Sequence, residues 1–553
     1  RMMKETAYVF DFDPARTLII FDEFANNLSP DMVDGKGIGD DRKDNIRRLL
    51  NFFPVLGEDD QGRMVELNAA QVLSIPRQLK SQDVVRHGFM SNFLFQNISN
   101  VFGAPGIVKE IVEKLTPAHR DPKKRNQKNL QHISDVPVDE DGEVDVPNEI
   151  IVGKVQGLFG EKHYEEMTEG FEPQLSHLAE SGSASAVDQS MKKLADTVKE
   201  KIKQEVVAPV VDAYEVKKGQ NRMERQVENE IDRKFEQIHG DYAQQTNIAK
   251  AEFEQKQQMA ETQGEVKEAE EEYKSRMDNA LKKLIEAAQT AVQDTIQNKP
   301  TELVERMEKH KAEEEKKSVE DSVRAHLRGF ARTIPSFIMA YGDGYLKLRN
   351  FDEYTEADVF EEVTGITEDD FRFLRDGGEY EDLETGTKEH FDGHLFDETV
   401  FNDSIEEFWK KKRDLEDYFD ETHTEDIFDY IPPQKTNQIF TSHWVVKKMV
   451  DELEQNNPGC FDDSTNTFAD LYMKSGLYIT EIVKRLFRSE KMRAQFPDDG
   501  ERVRHILQHQ VYGMAPTRII YLISTNYILG FDEQLKLETK NFVQADTAPN
   551  DWL

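Results

Sequence analysis

The residues best suited to chemistry lie in the run FADLYMKSG (468–476), which leads directly into the apolar-periodic stretch LYITEIVKRLF. A short strand ending in Asp470, a turn holding Ser475 and Gly476, and a helix starting at once afterwards form a strand-turn-helix unit. In open α/β folds ligands bind outside the carboxyl ends of the strands, and a turn glycine lets the backbone approach the bound molecule. Upstream, Phe440 and Thr441 precede the helix-forming WVVKKMVDEL. A threonine hydroxyl beside exposed amides at a helix amino end is a seat for an anionic group. Lys123, Lys124, Arg125 and Lys128 fall in the basic run HRDPKKRNQKNLQH and could touch DNA phosphates, although like-charge blocks without apolar periodicity are usually solvated loops. His390 and His394, four apart beside Asp392, could offer two metal ligands on one helical face, but Gly393 and the lack of a third defined ligand argue against it.

Absences narrow the chemistry further. The sequence holds no G-x-x-x-x-G-K-[ST] loop and no acidic motor box, so it has no ATP site of its own. The single cysteine, Cys460, excludes an intrachain disulfide and a multi-cysteine zinc site, fits a reducing cytoplasm, and reads as a small hydrophobe after an NPG turn. No apolar run is long enough to span a membrane and no charged-then-apolar leader opens the chain, so no membrane partner is expected.

The elements that must position these residues belong to several units, since 553 residues exceed a single core. A net charge of −37 repels a phosphate backbone, so any DNA contact needs a local basic patch or other parts of a larger protein. Residues 1–115 alternate short strands and amphipathic helices, opening on the alternation Tyr8, Phe10, Phe12, a core strand expected to continue something upstream. Residues 116–182 are a charged linker region. Across 183–330 the chain is rich in Lys, Glu, Gln and Ala. Met223, Val227, Ile231, Phe235, Ile238 and Tyr242 form one apolar stripe, and Met259, Val266, Tyr273 and Ala280 recur every seven residues. That pattern predicts long helices in an antiparallel hairpin or bundle, interrupted at Gly240 and Pro300, and suits a rigid coupler between modules. Residues 331–431 are helical and acidic, ending at Pro432-Pro433, and 432–553 carry the candidate site.

Four fragments in the last of these segments, QIFTSHWVV, TFADLYMKSGLYITEIVKRLF, VYGMAPTRIIYLISTNYIL and NFVQADT, resemble the opening motifs of adenine-N6 DNA methyltransferases of restriction-modification proteins, in the family order. The opening residues resemble the last strand of the second motor domain of superfamily 2 helicases. The resemblance implies an α/β protein with a large all-α insert: the end of a RecA-like helicase domain, a helical coupler, and the start of a Rossmann-type methyltransferase domain. It implies S-adenosylmethionine as cofactor, contacted by Phe440, Thr441, Asp470, Ser475, Gly476 and, near the adenine, Asp546. ATP and magnesium would belong only to a missing upstream part, and double-stranded DNA would be met through the parent protein. Leu471, Ser442, Lys474 and Ala515 depart from the family pattern. Lys474 adds charge beside the sulfonium and Ala515 stands where a glutamate holds the ribose, which predicts a degenerate site with weak binding. The [ND]-P-P-[YF] loop that engages a flipped base is absent, and NNP at 456–458 reads as a helix-ending turn, so methyl transfer by these residues alone is not expected. Two rival readings remain open. One is an inactive pseudo-methylase and helical scaffold that binds protein partners, and the other is an acidic DNA mimic.

Overall fold

A computed structural model describes residues 56–58, 64–66, 68–117, 129–139, 142–160, 171–180, 183–382, 386–423, 425–433, 440–531 and 540–545, with Arg47, Leu50, Asn51 and Leu537 besides. The expected opening strand at Tyr8 to Phe12, the basic run with Lys123, Lys124, Arg125 and Lys128, and Asp546 lie outside the described residues. The chain is mostly helical with small sheets. Among the described residues no helix is long and apolar enough to cross a membrane. Two compact units result, one from 1–134 with 319–553 and one from 135–318.

The first unit holds an antiparallel pair, β1 (Leu56–Glu58) and β2 (Met64–Glu66), then α1 (Ala69–Arg86) and α2 (Pro105–Lys114). The second unit contains α3 (Asn148–Phe159), α4 (Glu172–Ala179), α5 (Ala184–Ile202), α6 (Ala208–Ala213), α7 (Gln220–Met259) and most of α8 (Gln263–Ala331). Ser183 starts α5 because its extended backbone lets the hydroxyl accept the Ala186 N–H at 3.3 Å, satisfying one orphan amide of the first turn. The apolar stripe of α7, Val227, Ile231, Phe235 and Tyr242, is buried in one core with Ala280, Leu284, Ala288, Val292 and Ile296 of α8. Partners descend along α7 as they climb α8. Lys299 meets Glu230 at 2.6 Å, Lys234 meets Asp294 at 3.5 Å, and Phe253 stacks on Tyr273 at 4.9 Å, so the helices are antiparallel.

The expected interruptions at Gly240 and Pro300 do not occur, for both residues sit inside continuous helices. A mid-helix glycine costs about 1 kcal/mol and a proline about 3 kcal/mol in lost bonding and ring clash. Burial of Ile296, Leu303 and Val304 on either side of Pro300 offsets that cost, an effect that local propensity does not register.

The first unit resumes with α9 (Ile334–Tyr341), α10 (Ala357–Thr364) and α11 (Glu368–Asp376). The hairpin β3 (Gly378–Glu381) with β4 (Lys388–Phe391) follows, and then α12 (Glu398–Leu415). Phenylalanines dominate this core: Phe330, Phe337, Phe351, Phe360, Phe371, Phe396 and Phe401 are all buried, with Phe330 stacked on Phe371 and most other contacts tilted or edge-on. Buried Asp352 braces the cluster's rim, accepting from Arg372 at 2.5 Å and Arg375 at 2.6 Å. His390 lies in β4 and His394 follows at φ +55°, so the two never share a helical face. Among the described residues no group of three or more His, Cys, Asp or Glu could hold a metal.

The remaining elements are α13 (His443–Asn456), β5 (Phe468–Asp470), α14 (Leu477–Arg488), α15 (Glu490–Gln495), α16 (Asp499–His505), β6 (Val511–Ala515), α17 (Arg518–Leu529) and β7 (Phe542–Gln544). Helix α13 ends at the NNP turn as expected, the Asn457 N–H bonding back to Leu453 and Glu454. The strands β5, β6 and β7 are adjacent in that order and parallel, Asp470 beside Gly513 and Gly513 beside Phe542.

Replacing Phe351, whose ring meets Phe330, Phe337, Phe360, Phe371 and Phe401, by alanine is expected to cost about 3–5 kcal/mol. Urea denaturation followed by near-ultraviolet circular dichroism checks this, and a loss below about 1 kcal/mol would contradict the packing described.

Candidate functional site

Each strand of the parallel sheet is followed on its carboxyl side by residues singled out in the sequence. After β5 the chain turns through 471–476 into α14. Gly476 adopts φ +85°, a left-handed conformation, and a Cβ there would lie 2.9 Å from Ile528 side-chain carbons and 3.3 Å from the Ser524 carbonyl. Glycine is therefore needed for the turn and for the approach of α14 to α17. Ser475 is buried and its hydroxyl accepts the Leu477 N–H at 3.3 Å, which commits it to the start of α14.

Asp470 accepts the Tyr472 N–H at 3.1 Å, yet burial pushes its carboxyl above the ordinary value, because one amide does not replace the water it loses. Thr441 lies near Tyr478 in the first turn of α14, close enough to act on its phenol, as Asp470 also is. Burial first, and Asp470 second, raise Tyr478, with Thr441 opposing them. The Tyr478 hydroxyl also donates to the Met449 sulfur at 2.8 Å. Thr441 and Asp470, 29 residues apart, thus converge on one tyrosine. Phe440 faces elsewhere, its ring 4.9 Å from that of Phe428.

Helix α13, which follows Thr441, is fixed to α14 through a buried carboxylate. Glu481 accepts from Lys484 at 2.8 Å and Arg485 at 2.9 Å, and His443 stands 3.7 Å away. Lys484, itself buried, also donates to His443 at 3.3 Å, and Arg485 extends to Asp451 and Glu454 on α13. Burial alone would raise Glu481, but His443, Lys484 and Arg485 beside it outweigh burial and hold it down to about 2.

Two residues invisible to motif reading shape the site. Tyr478 is the meeting point just described. Met473 is fully buried, its N–H bonded to the Met514 carbonyl at 2.7 Å, and a Cβ on Gly513 would lie 2.6 Å from its sulfur. The turn is thereby drawn onto β6. Lys474 is half-exposed, its ammonium 5.7 Å above the Tyr472 ring, while Ala515 is wholly buried at the end of β6. The residues fit the amine and carboxylate end of an S-adenosylmethionine-type ligand, through Asp470, Thr441 and the amides of α14. They do not fit its ribose, for which the end of β6 offers a buried methyl group.

The helices α14 and α17 touch each other and so cover the same face of the sheet. On the other face Ala469, Tyr512 and Val543 are exposed, although parallel sheets are ordinarily covered on both sides. A cavity of about 1010 Å³ lies at the Leu529 end of α17, near Trp409, Asn402 and Asn526. No family model matches the chain, and neither a curated protein nor a solved structure matches it.

Two stability changes follow. Glu481→Gln leaves Lys484 buried without its counterion and should cost about 3–5 kcal/mol at neutral pH. Glu481 is depressed on folding, so its contribution is complete above 4.5 and disappears as pH falls toward about 2. Urea midpoints across that range test this, and wild type and variant should converge at the acid end. Asp470 has the opposite sign. Its raised value penalises the folded state once pH climbs past it, so Asp470→Asn should raise the melting temperature at pH ~7, with the gain vanishing below the ordinary 3.8. A lower melting temperature for this variant at neutral pH would contradict the unpaired burial of Asp470.

Proposed function

We propose that residues 440–545 are the opening part of a Rossmann-type, adenine-N6 DNA methyltransferase-like domain. It would belong to a cytoplasmic restriction-modification enzyme that couples ATP-dependent translocation on double-stranded DNA to this domain. The observation that carries the reading is the convergence of Thr441 and Asp470 on Tyr478, at the carboxyl end of the first of three parallel strands, beside a left-handed glycine that opens α14. The meeting of these two fragments at the carboxyl edge of the sheet supports the reading. The resembling fragments also follow the order of adjacent parallel strands, and the exposed apolar face of the sheet is a surface such a domain covers with further helices. The motor, its ATP and magnesium, and the DNA-contacting domains are assigned to the parent protein.

Lys474, buried Ala515 and inserted Met473 favour a second reading, in which the site is degenerate and the domain acts as a helical and pseudo-methylase scaffold for protein partners. Saturation-transfer NMR with S-adenosylmethionine on the intact chain separates the two. We expect weak binding, tightened about tenfold by Lys474→Gly and by Lys474→Ala alike, since removing a half-exposed ammonium beside the sulfonium is worth on the order of 1.4 kcal/mol. Absence of signal from wild type and both variants would remove the cofactor reading and leave the scaffold.

A further inference from the structure

We propose that the outer face of α13, formed by Trp444, Lys447 and Lys448, is a docking surface for single-stranded nucleic acid. The helix is amphipathic. Val446 and Val450 are buried on its inner side, whereas Trp444 is 71% exposed and both lysines are exposed. The spacings i, i+3 and i+4 place the indole and the two ammonium groups on one side, within a turn of each other. A large aromatic exposed at the start of a well-packed helix is the informative kind of surface residue, since the same helix has ample buried positions for apolar groups.

The local charge opposes that of the chain. In a sequence of net charge −37, Lys447 and Lys448 hold no ion pair among the described residues. The acids around them are largely engaged elsewhere: Asp451 and Glu454 with Arg485, and Glu421 with Arg488. Glu452, one turn past Lys448, is the remaining exposed or half-exposed acid of the helix. The patch therefore offers cationic groups for phosphates beside one flat aromatic surface.

That combination fits a single strand. An indole stacks on the π-face of an unpaired base without regard to sequence, and lysines track the backbone. A duplex hides those base faces and offers only its groove edges. A lipid surface fits less well, because an interfacial helix sinks an apolar face along its length and the apolar face of α13 is already spent on the protein core. The inference stands on this helix face and does not need a functional cofactor site.

Fluorescence anisotropy of a labelled oligo-dT 20-mer, titrated with the intact chain at several salt concentrations, tests it. Wild type should bind. Trp444→Ala should weaken binding about tenfold with the salt slope unchanged, as expected from loss of one stacked base. The double variant Lys447→Gln with Lys448→Gln should flatten the slope of log K against log salt by about 1.4, at roughly 0.7 per phosphate contact on a single strand. Circular dichroism confirms that the variants are folded, and their S-adenosylmethionine signal should equal that of wild type, which keeps this outcome separate from that of the cofactor site. No binding by wild type at micromolar protein, or binding that neither variant alters, overturns the proposal. Equal sensitivity of binding to phosphatidylserine vesicles would overturn it in favour of a membrane surface.

Discussion

The candidate site depends on a single buried carboxylate. Glu481 gathers Lys484 and Arg485 of its own helix α14 together with His443 of α13, and so fixes the amino end of α13. Removing such a group from water is unfavourable unless nearly every lone pair is satisfied, and two donors at hydrogen-bond distance with a third group near provide that. Because Thr441 immediately precedes α13, its contact with Tyr478 inherits the placement set by Glu481. The geometry of the carboxyl edge is thus determined about one helical turn into α14.

This arrangement separates stability from ligand chemistry. Glu481 is held well below its ordinary range by several partners, whereas Asp470, at the edge itself, is raised by burial with one amide for company. Neighbouring carboxylates with opposite displacements show where the fold spends its interactions and where it leaves a group unsatisfied. An unsatisfied, partly buried acid at the end of a parallel strand is the feature expected of a ligand-facing position. Gly476, tight against α17, holds there a backbone that only glycine adopts without strain.

Much of this was legible in the sequence for identifiable reasons. The strand-turn-helix at Asp470 and Gly476 was visible because alternation, a turn glycine and helical periodicity succeed one another within twenty-odd residues. The stripe from Val227 to Tyr242 announced its helix for the same reason. Continuity through Pro300 was hidden, because burial of flanking residues by a distant helix outweighs a local breaking signal. The shared helical face that the spacing of His390 and His394 allowed does not form, since spacing by four is silent about whether the backbone between them is a strand and a left-handed turn. Tyr478 and Met473 were missed because nothing in their types distinguishes them from core residues. Their importance comes from contacts with residues tens of positions away.

Met473 and Ala515 also explain how one edge can resemble a cofactor site and fit it only in part. With its side chain seated against Gly513, Met473 fills space at the sheet that a longer glycine-rich turn would leave for a ligand. Ala515 is wholly buried at the neighbouring strand end and presents only apolar surface there. At both positions the edge is closed by apolar packing. Asp470, Thr441 and Tyr478 follow the other course, because burial without full hydrogen bonding has a cost that packing alone does not repay. The two tendencies meet in a turn of six residues, so the balance between cofactor site and scaffold rests on the half-exposed Lys474 between them.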